Sequence, residues 1–189
     1  PATPRKLRLE HFEACATATL SRRRMRIDHY DRGLDTIVSR DVSPQRVVRY
    51  KENWYLHTWC HLRNAIRTFA VDAIRGVSIL DLPAHDVPDE EADAVLGSGY
   101  GIYAGRDVKW AVLKFSPMQA RWTAHETWHP QQKSHLEPDG SYLLEIPYSG
   151  EGELVMDILK YGPDVEVLAP AELRLIVKDR LGRAAEQYR

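Results

Sequence analysis

The 189-residue sequence contains only two cysteines, Cys15 and Cys60, which are too few for a disulfide framework or a cysteine-rich zinc site. It has no run of about 18 apolar residues, so no membrane-spanning helix is predicted. The basic N-terminal stretch lacks the continuous apolar core of a secretory signal. These absences predict a cytoplasmic protein whose two cysteines are small buried hydrophobic residues.

Motifs for catalysis and cofactor binding are also lacking. The glycines at 97, 99, 101 and 105 do not match the dinucleotide-binding pattern, and there is no phosphate-binding loop. Gly97-Ser98-Gly99 has neither the preceding strand nor the following helix of a nucleophile elbow. His125 and His129 have a helical metal-ligand spacing, but Pro130 interrupts the helix that this spacing requires. We therefore predict no enzyme activity, no catalytic residue, no cofactor and no metal site.

Charge is unevenly distributed, although the net charge is only −1. Residues 1–80 contain 15 Lys/Arg and 8 Asp/Glu, a balance of +7, whereas residues 81–189 contain 11 and 19, a balance of −8. Such an asymmetry favours nucleic-acid contact by the basic half. The alternative is that the two halves attract each other and bind nothing else.

Hydrophobic periodicity predicts an α+β protein with two modules. An amphipathic helix over 6–20, with Leu7, Phe12, Cys15, Ala16 and Leu20 near one face, precedes short strands separated by turn signals, which predict a small β-barrel. The predicted strands are 25–30, 36–40, 46–50, 53–61 and 67–74. After the polar segment 82–101, the order β-α-β-β-α-β, then α, is that of a ferredoxin-like half-domain. Its predicted elements are strand 108–115, a helix beginning at Pro117, strands 133–137 and 142–147, helix 151–161, strand 165–168 and helix 170–188.

The densest cluster of aromatic and basic residues follows the strand 53–61. Strand alternation places Tyr55, His57, Trp59 and His61 on the face opposite the apolar set of Trp54, Leu56, Thr58 and Cys60. Flat rings beside Arg63, Arg67 and Arg46 could stack bases while neutralising phosphates. The alternative is a packed sheet whose arginines reach the solvent. The run Ser21–Arg26 is a further candidate for phosphate contact.

Two series of residues carry a resemblance to the WYL family of bacterial transcription regulators. In the first half they are Pro44, the tripeptide Trp54-Tyr55-Leu56, Arg63, Arg67, Phe69, Asp72 and Ile74. In the second half, which resembles the C-terminal extension of these proteins, they are Trp128-His129-Pro130, Gln132, Pro138-Asp139-Gly140, Glu153-Leu154, 158–162, 167–170 and Leu173-Arg174. The family's Asp-Arg-Ile run has Ala73 in place of its arginine, and Arg75 follows two positions later.

The resemblance implies a WYL domain with an Sm-like, SH3-type barrel that senses an effector, single-stranded DNA in several members. It implies a homodimer whose duplex operator DNA is read only by an N-terminal winged helix-turn-helix, which this sequence lacks. The implied organisation is a linker helix (1–19), the WYL domain (20–81), a linker (82–101) and the extension (102–189), which contributes to dimerisation. The predicted ligand-binding residues are Arg46, Trp54, Tyr55, His57, Trp59, His61, Arg63, Arg67 and Arg75. Two alternatives remain: a sensor of a small phosphorylated nucleotide, and a dimerisation module without a ligand.

Overall fold

The computed structural model of the chain describes residues 5–96, 99–102 and 107–189. The chain divides into two compact units, with the boundary between Ala92 and Asp93. Each unit combines an antiparallel sheet with helices, which confirms the predicted α+β class. None of the helices in these ranges has the length and apolar composition needed to cross a membrane. The glycine-rich segment Gly97-Ser98, set aside above as a nucleophile elbow, and Gly105 lie outside the described residues.

The first unit is a five-stranded sheet with one helix packed on it. Its strands are antiparallel in the order β4-β3-β2-β1-β5. The elements are α1 (Leu9–Leu20), β1 (Arg23–Asp31), β2 (Thr36–Tyr50), β3 (Asn53–Cys60), β4 (Ala65–Ala70), a 3-10 turn (Val71–Ala73) and β5 (Ile74–Pro83).

Strand β2 is one long strand, whereas the sequence predicts two. Residues 36–42 pair with β1 and residues 42–50 pair with β3, with a register shift between Pro44 and Arg46. Proline cannot donate a hydrogen bond to a neighbouring strand and is tolerated in sheets at bulges. The interruption that Pro44 introduces into the sequence pattern therefore marks a bulge inside a strand and not the end of one.

The predicted closed barrel is not found. The 3-10 turn after β4 leads the chain to β5, which pairs with β1, whereas the six-residue β4 pairs with β3. No pairing joins β4 to β5 among the described residues, so the sheet keeps two edges. The predicted strand 67–74 also ends early, because its last residues form the turn and the start of β5.

One face of this sheet, the inner face, packs against α1. The helix buries His11, Cys15 and Ala18, and its Phe12 ring lies edge-on to Trp54 with ring centroids 4.9 Å apart. Leu20, predicted to lie on the buried side, is exposed at the end of the helix. The buried residues of this core are Cys15, Ala18, Met25, Ile27, Val42, Leu56, Cys60, Phe69, Val71 and Ile74.

The second unit is a four-stranded antiparallel sheet with helices on one face, and its strand order is β7-β8-β6-β9. A short helix, α2 (Asp89–Leu96), spans the boundary between the units. The remaining elements are β6 (Lys109–Phe115), α3 (Pro117–Thr123), β7 (Lys133–Leu136), β8 (Tyr142–Tyr148), α4 (Glu151–Leu159), a 3-10 turn (Gly162–Asp164), β9 (Val165–Ala169) and α5 (Ala171–Glu186). This order of elements agrees with the sequence prediction.

Helix α3 provides a direct test of local structure in the second unit. Ser116 caps its N-terminus: the Ser116 Oγ accepts a hydrogen bond from the Gln119 N–H (3.2 Å) and donates one to Asp164 (2.8 Å). We expect Ser116→Ala to lower the free energy of unfolding by about 1 kcal/mol. Urea unfolding followed by circular dichroism measures this change, and Ser134→Ala on the exposed strand β7 is the control. Equal stabilities of the two variants would contradict the capping role.

Candidate functional site

The sheet face opposite α1 carries most of the predicted site residues. Residues directly opposite each other on paired strands share a face, and Arg46 pairs with His57, Ser43 with Trp59, and His57 with Thr68. Arg24 and Arg26 alternate with the buried Met25 and therefore point to this face too. We call it the Trp59 face; it comprises Arg24, Arg26, Asp41, Ser43, Arg46, Tyr55, His57, Trp59 and His61.

His57 is the most unusual side chain on the Trp59 face. It is only 7% exposed, and neither ring nitrogen has a hydrogen-bond partner among the described residues. Burial, with a smaller contribution from the Arg46 guanidinium, lowers the pKa of His57 to about 4. The ring is therefore neutral at pH 7, with one donor and one acceptor that are not satisfied. Buried polar groups without partners are rare because they destabilise the fold.

A second polar cluster lies beside Trp59. His61 Nε2 is 2.9 Å from the Oγ of Ser43, which is completely buried. Burial, followed by the charge of Arg24, lowers the pKa of His61. The Nε of Arg24 is buried and has no hydrogen-bond partner in the described part of the chain. Arg26, in contrast, donates two hydrogen bonds to Asp41, at 2.6 and 3.0 Å, and thereby lowers the pKa of that carboxyl.

The chain following β5 folds back over the Trp59 face. The His85 ring lies against the Trp59 ring with centroids 4.6 Å apart and planes inclined by 42°, and the backbone N–H of His85 donates to the Ser43 Oγ (2.8 Å). The Gln45 amide donates to the His85 carbonyl (2.8 Å) and accepts from the Val87 N–H (3.1 Å). The sequence predicts a solvated linker, or an exposed helix and loop, over this segment. The contacts above instead anchor residues 84–87 to the sheet, and helix α2 follows from Asp89.

Three carboxylates, one near the end of β5 and two after it, pair with arginines in β2, in β1 and just before β1. Asp89 accepts a hydrogen bond from Arg46 (2.8 Å). Asp86 pairs with Arg22, and Asp81 pairs with Arg23. Two of the three pairs therefore involve the run Ser21–Arg26, whose possible role in phosphate contact the sequence left open.

The other end of the Trp59 face is covered by the N-terminal segment. Arg5 donates to the Tyr55 hydroxyl (2.6 Å) and lies 3.3 Å from the Asp72 carboxylate, while its backbone N–H donates to Asn53 (3.0 Å). Asp72 also pairs with Arg32. Tyr55 is consequently only 5% exposed. Its ring is not a free stacking platform, and among the predicted aromatic residues only Trp59 and His61 remain partly exposed on this face.

Four predicted site residues lie elsewhere. Trp54 packs on the inner face against Phe12. Arg67 pairs with Thr58 and so belongs to the inner side, where its side chain is exposed at β4. Arg63 is exposed in the turn after β3. Arg75 lies two positions after Ala73. Its Cζ is 5.1 Å from the centroid of the Tyr30 ring, and its guanidinium donates to the Asp72 carbonyl (3.1 Å).

The sequence did not identify Ser43, His85 or Arg5 as members of the site, and it left Arg24 within a run. Arg24 could have been assigned by its alternation with Met25. His85 and Arg5 are brought to the face by chain reversals that no local pattern signals. Among the described residues, no three His, Cys, Asp or Glu side chains form a potential metal site.

Comparison with protein families gives two matches, and together they cover most of the chain. Residues 10–79 match the WYL domain, and residues 107–185 match the WCX domain. Protein PafC of Mycobacterium tuberculosis H37Rv is 30% identical over 175 residues, which cover 93% of this chain and 54% of PafC. Protein PafC of Mycobacterium leprae is 28% identical over 185 residues, 93% of this chain and 52% of PafC. The chain thus spans about half the length of these relatives.

Solved structures are also similar to the chain. A CRISPR Cas-related protein matches 95% of the chain with a TM-score of 0.56 and 12% identity, over 51% of its own length, which supports the fold alone. The proteasome accessory factor B/C (PafBC) of Arthrobacter aurescens matches 98% of the chain at 22% identity, with a TM-score of 0.43 over 28% of its length. From its two matched domains, the chain belongs to the WYL-domain family of transcription regulators.

Proposed function

We propose that this chain is the effector-sensing and dimerisation region of a bacterial, cytoplasmic transcription regulator, and that its effector is single-stranded DNA bound on the Trp59 face. In the full protein, ligand binding would control the affinity of a winged helix-turn-helix for duplex operator DNA. A ligand shifts such an equilibrium only by binding one arrangement of the subunits more tightly than the other.

One observation carries the proposal: buried polar nitrogens without partners among the described residues lie on the same sheet face as a partly exposed indole ring. Arg24 Nε and both ring nitrogens of His57 are buried without partners among the described residues, and Trp59 lies on the same face as both side chains. Phosphate oxygens would supply the acceptors that the guanidinium lacks, because charge-assisted hydrogen bonds to anions are the strongest available to arginine. A base would supply a flat partner for Trp59.

We propose binding without turnover. The Ser43–His61 pair, at 2.9 Å, has the spacing of a nucleophile and its general base. However, Ser43 is 0% exposed, and its Oγ already accepts a hydrogen bond from the His85 N–H. Unlike Arg24 Nε and the His57 nitrogens, this hydroxyl is therefore already hydrogen-bonded within the chain, and the pair is better understood as an anchor for residues 84–87.

We propose that the second unit contributes to a homodimer. Met118 and Trp122 of α3 are four residues apart, so they share one helix face, and both are more than half exposed. Large apolar side chains exposed side by side are typical of protein–protein contacts. The contact would be made with a second copy of this chain, as the WYL family resemblance implies.

Two finer statements on the fold belong with this proposal. The strand order β7-β8-β6-β9, with its helices on one face, supports a ferredoxin-like arrangement of the second unit. In the first unit, β2 pairs with β1 through its first half and with β3 through its second half, which supports an open, Sm-like arrangement. We infer both arrangements from strand order and pairing.

Fluorescence anisotropy of labelled oligothymidylates, about 5–20 bases long, at two salt concentrations tests the proposal. We expect affinity to increase with length up to a plateau and to weaken with salt, since phosphate contacts release counterions. Arg24→Gln should weaken binding roughly tenfold or more, the usual effect of removing a charged hydrogen-bond donor. Arg67→Ala removes an arginine outside the Trp59 face and should change the affinity less than Arg24→Gln does.

Each other outcome points to an alternative. Affinity that is independent of length, with equal binding of mononucleotides, would indicate a sensor of a small phosphorylated nucleotide. Failure of every oligonucleotide and mononucleotide to bind at low salt would leave a dimerisation module without a ligand. A larger effect of Arg67→Ala than of Arg24→Gln would place the ligand on the other side of the sheet.

A further inference from the structure

The segment 81–93 is strongly acidic and has no counterpart of opposite charge within itself. It contains six Asp/Glu among thirteen residues and neither Lys nor Arg. Its position is unusual for so charged a stretch, since residues 84–87 are hydrogen-bonded to β2 through Ser43 and Gln45. Three of its carboxylates pair with arginines of the first unit. We call residues 81–93 the acidic segment.

The acidic segment makes the same kinds of contact that the proposed ligand requires. Its carboxylates accept from the guanidinium groups of Arg22, Arg23 and Arg46. Its one aromatic side chain, His85, lies against the Trp59 ring, with the two ring planes inclined by 42°. A nucleic-acid strand brings phosphates and flat bases, which bind arginine and indole in the same two ways. On the Trp59 face, the acidic segment and a nucleic-acid strand therefore compete for Arg46 and Trp59.

The ionic contacts of the segment are well suited to being displaced. The side chains of Asp81, Asp86 and Asp89 are 95%, 68% and 90% exposed. Ion pairs exposed to this degree contribute little to stability and are screened by salt. A polyanion gains more from the same arginines, because several phosphates bind together and release counterions.

From these observations we infer that the acidic segment is a built-in competitor of the effector: in the free protein it occupies Arg46 and the Trp59 ring of the Trp59 face, and the effector binds by displacing it. The inference rests on the proposed function, because it concerns the regulation of the same face. It adds that effector binding would act directly on the segment that joins the two units. Helix α2 begins at Asp89 within the acidic segment and spans the boundary between the units.

Oligothymidylate binding by four forms of the full chain tests this inference. Asp89→Asn removes the charge that pairs with Arg46 in the acidic segment and should raise the affinity about twofold to fivefold. The triple variant Asp81→Asn, Asp86→Asn, Asp89→Asn should raise it roughly tenfold, as expected for exposed ion pairs. The matched control is Glu90→Gln, which changes the net charge equally. Glu90 has no ion pair with the described part of the chain, so the affinity of the Glu90→Gln variant for oligothymidylate should stay within about twofold of the wild-type value.

Hydrogen–deuterium exchange gives a second readout that does not depend on affinity. The amides of His85 and Val87 donate to Ser43 and Gln45, so they should exchange slowly in the free protein. Adding oligothymidylate should accelerate them, while amides within β3 stay protected. Exchange that slows at residues 84–87 on addition of the oligonucleotide would mean that the segment is part of the ligand site, and the inference would be wrong.

The outcomes separate this inference from the proposed function. If the wild type binds and Asp89→Asn behaves like Glu90→Gln, the function stands and the competitor role fails. If only the triple variant binds, both are supported. If no form binds any oligonucleotide at low salt, both are overturned.

Discussion

Replacing His57 with leucine is expected to stabilise the first unit by about 1–2 kcal/mol at pH 7, although it removes a buried side chain of the proposed site. The imidazole has two buried nitrogens without partners among the described residues, and a leucine of similar volume has no polar group to satisfy. Replacing a buried unsatisfied polar group by an apolar one of similar shape is neutral or stabilising. The same variant should bind oligothymidylate more weakly, because the Trp59 face loses a hydrogen-bonding group.

The stability of this variant should also depend less on pH. The pKa of His57 is about 4 in the folded protein, against about 6.5 in an unfolded chain. Between these values the unfolded chain binds a proton that the folded chain does not, so stability falls as the pH is lowered from about 6.5 to about 4. The difference corresponds to at most about 3 kcal/mol. His57→Leu removes this contribution, whereas His29 and His61, whose pKa values are also lowered, retain a smaller one.

Urea titrations from pH 4 to pH 8, combined with deuterium pulse labelling of peptides from β3, measure the stability of the first unit separately. His125→Leu is the control, because it removes an exposed histidine of the second unit. The variant His57→Leu should be more stable than the wild type at every pH, with the largest difference near pH 4. A loss of stability at pH 7 would show that the imidazole has a partner that stabilises the fold.

Truncation of the adjacent residue, Leu56, should lower the stability of the first unit, the opposite of the effect expected for His57→Leu. Leu56→Ala is expected to lower the free energy of unfolding of the first unit by about 2–5 kcal/mol. Leu56 is 0% exposed, and pairing places Val47 and Phe69 on either side of it on the inner face. Truncation removes its contacts and leaves a cavity, because the sheet and α1 can close around it only in part.

The same pulse-labelling experiment measures the effect of Leu56→Ala. Leu62→Ala is the matched control, because Leu62 is exposed just after β3 and its truncation should change stability by less than about 0.5 kcal/mol. Similar values for the two variants would contradict the assignment of Leu56 to the core. If both predictions hold, the variants Leu56→Ala and His57→Leu show that the inner face of β3 stabilises the fold, whereas the residues of the Trp59 face are constrained by binding.

Much of this architecture was predictable because local patterns determine it. Alternation along β3 correctly separated Leu56 and Cys60 from His57 and Trp59, and the elements from β6 to α5 follow from periodicity, Pro117 and the hairpin signal at Pro138. The single β2 strand was not predictable, because Pro44 interrupts the pattern in the same way at a bulge as at a strand end.

The composition of the site was less predictable, because it depends on contacts between residues far apart in the chain. Arg67 was assigned from the WYL resemblance and from its nearness in sequence to the aromatic run, but its pairing with Thr58 places it on the face opposite His57. Arg5 reaches Tyr55 across 50 positions, and His85 reaches Ser43 across 42. Composition shows that residues 81–93 are acidic, but not that they fold back onto the sheet.

The ring contact between His85 and Trp59 has a photophysical consequence. The fluorescence of an indole depends on the groups around its ring, and His85 lies against the Trp59 ring in the free protein. The emission of Trp59 should therefore change when residues 84–87 leave the sheet and water replaces the imidazole. The chain thus contains an intrinsic optical reporter of its own rearrangement, which could be followed in real time without a dye.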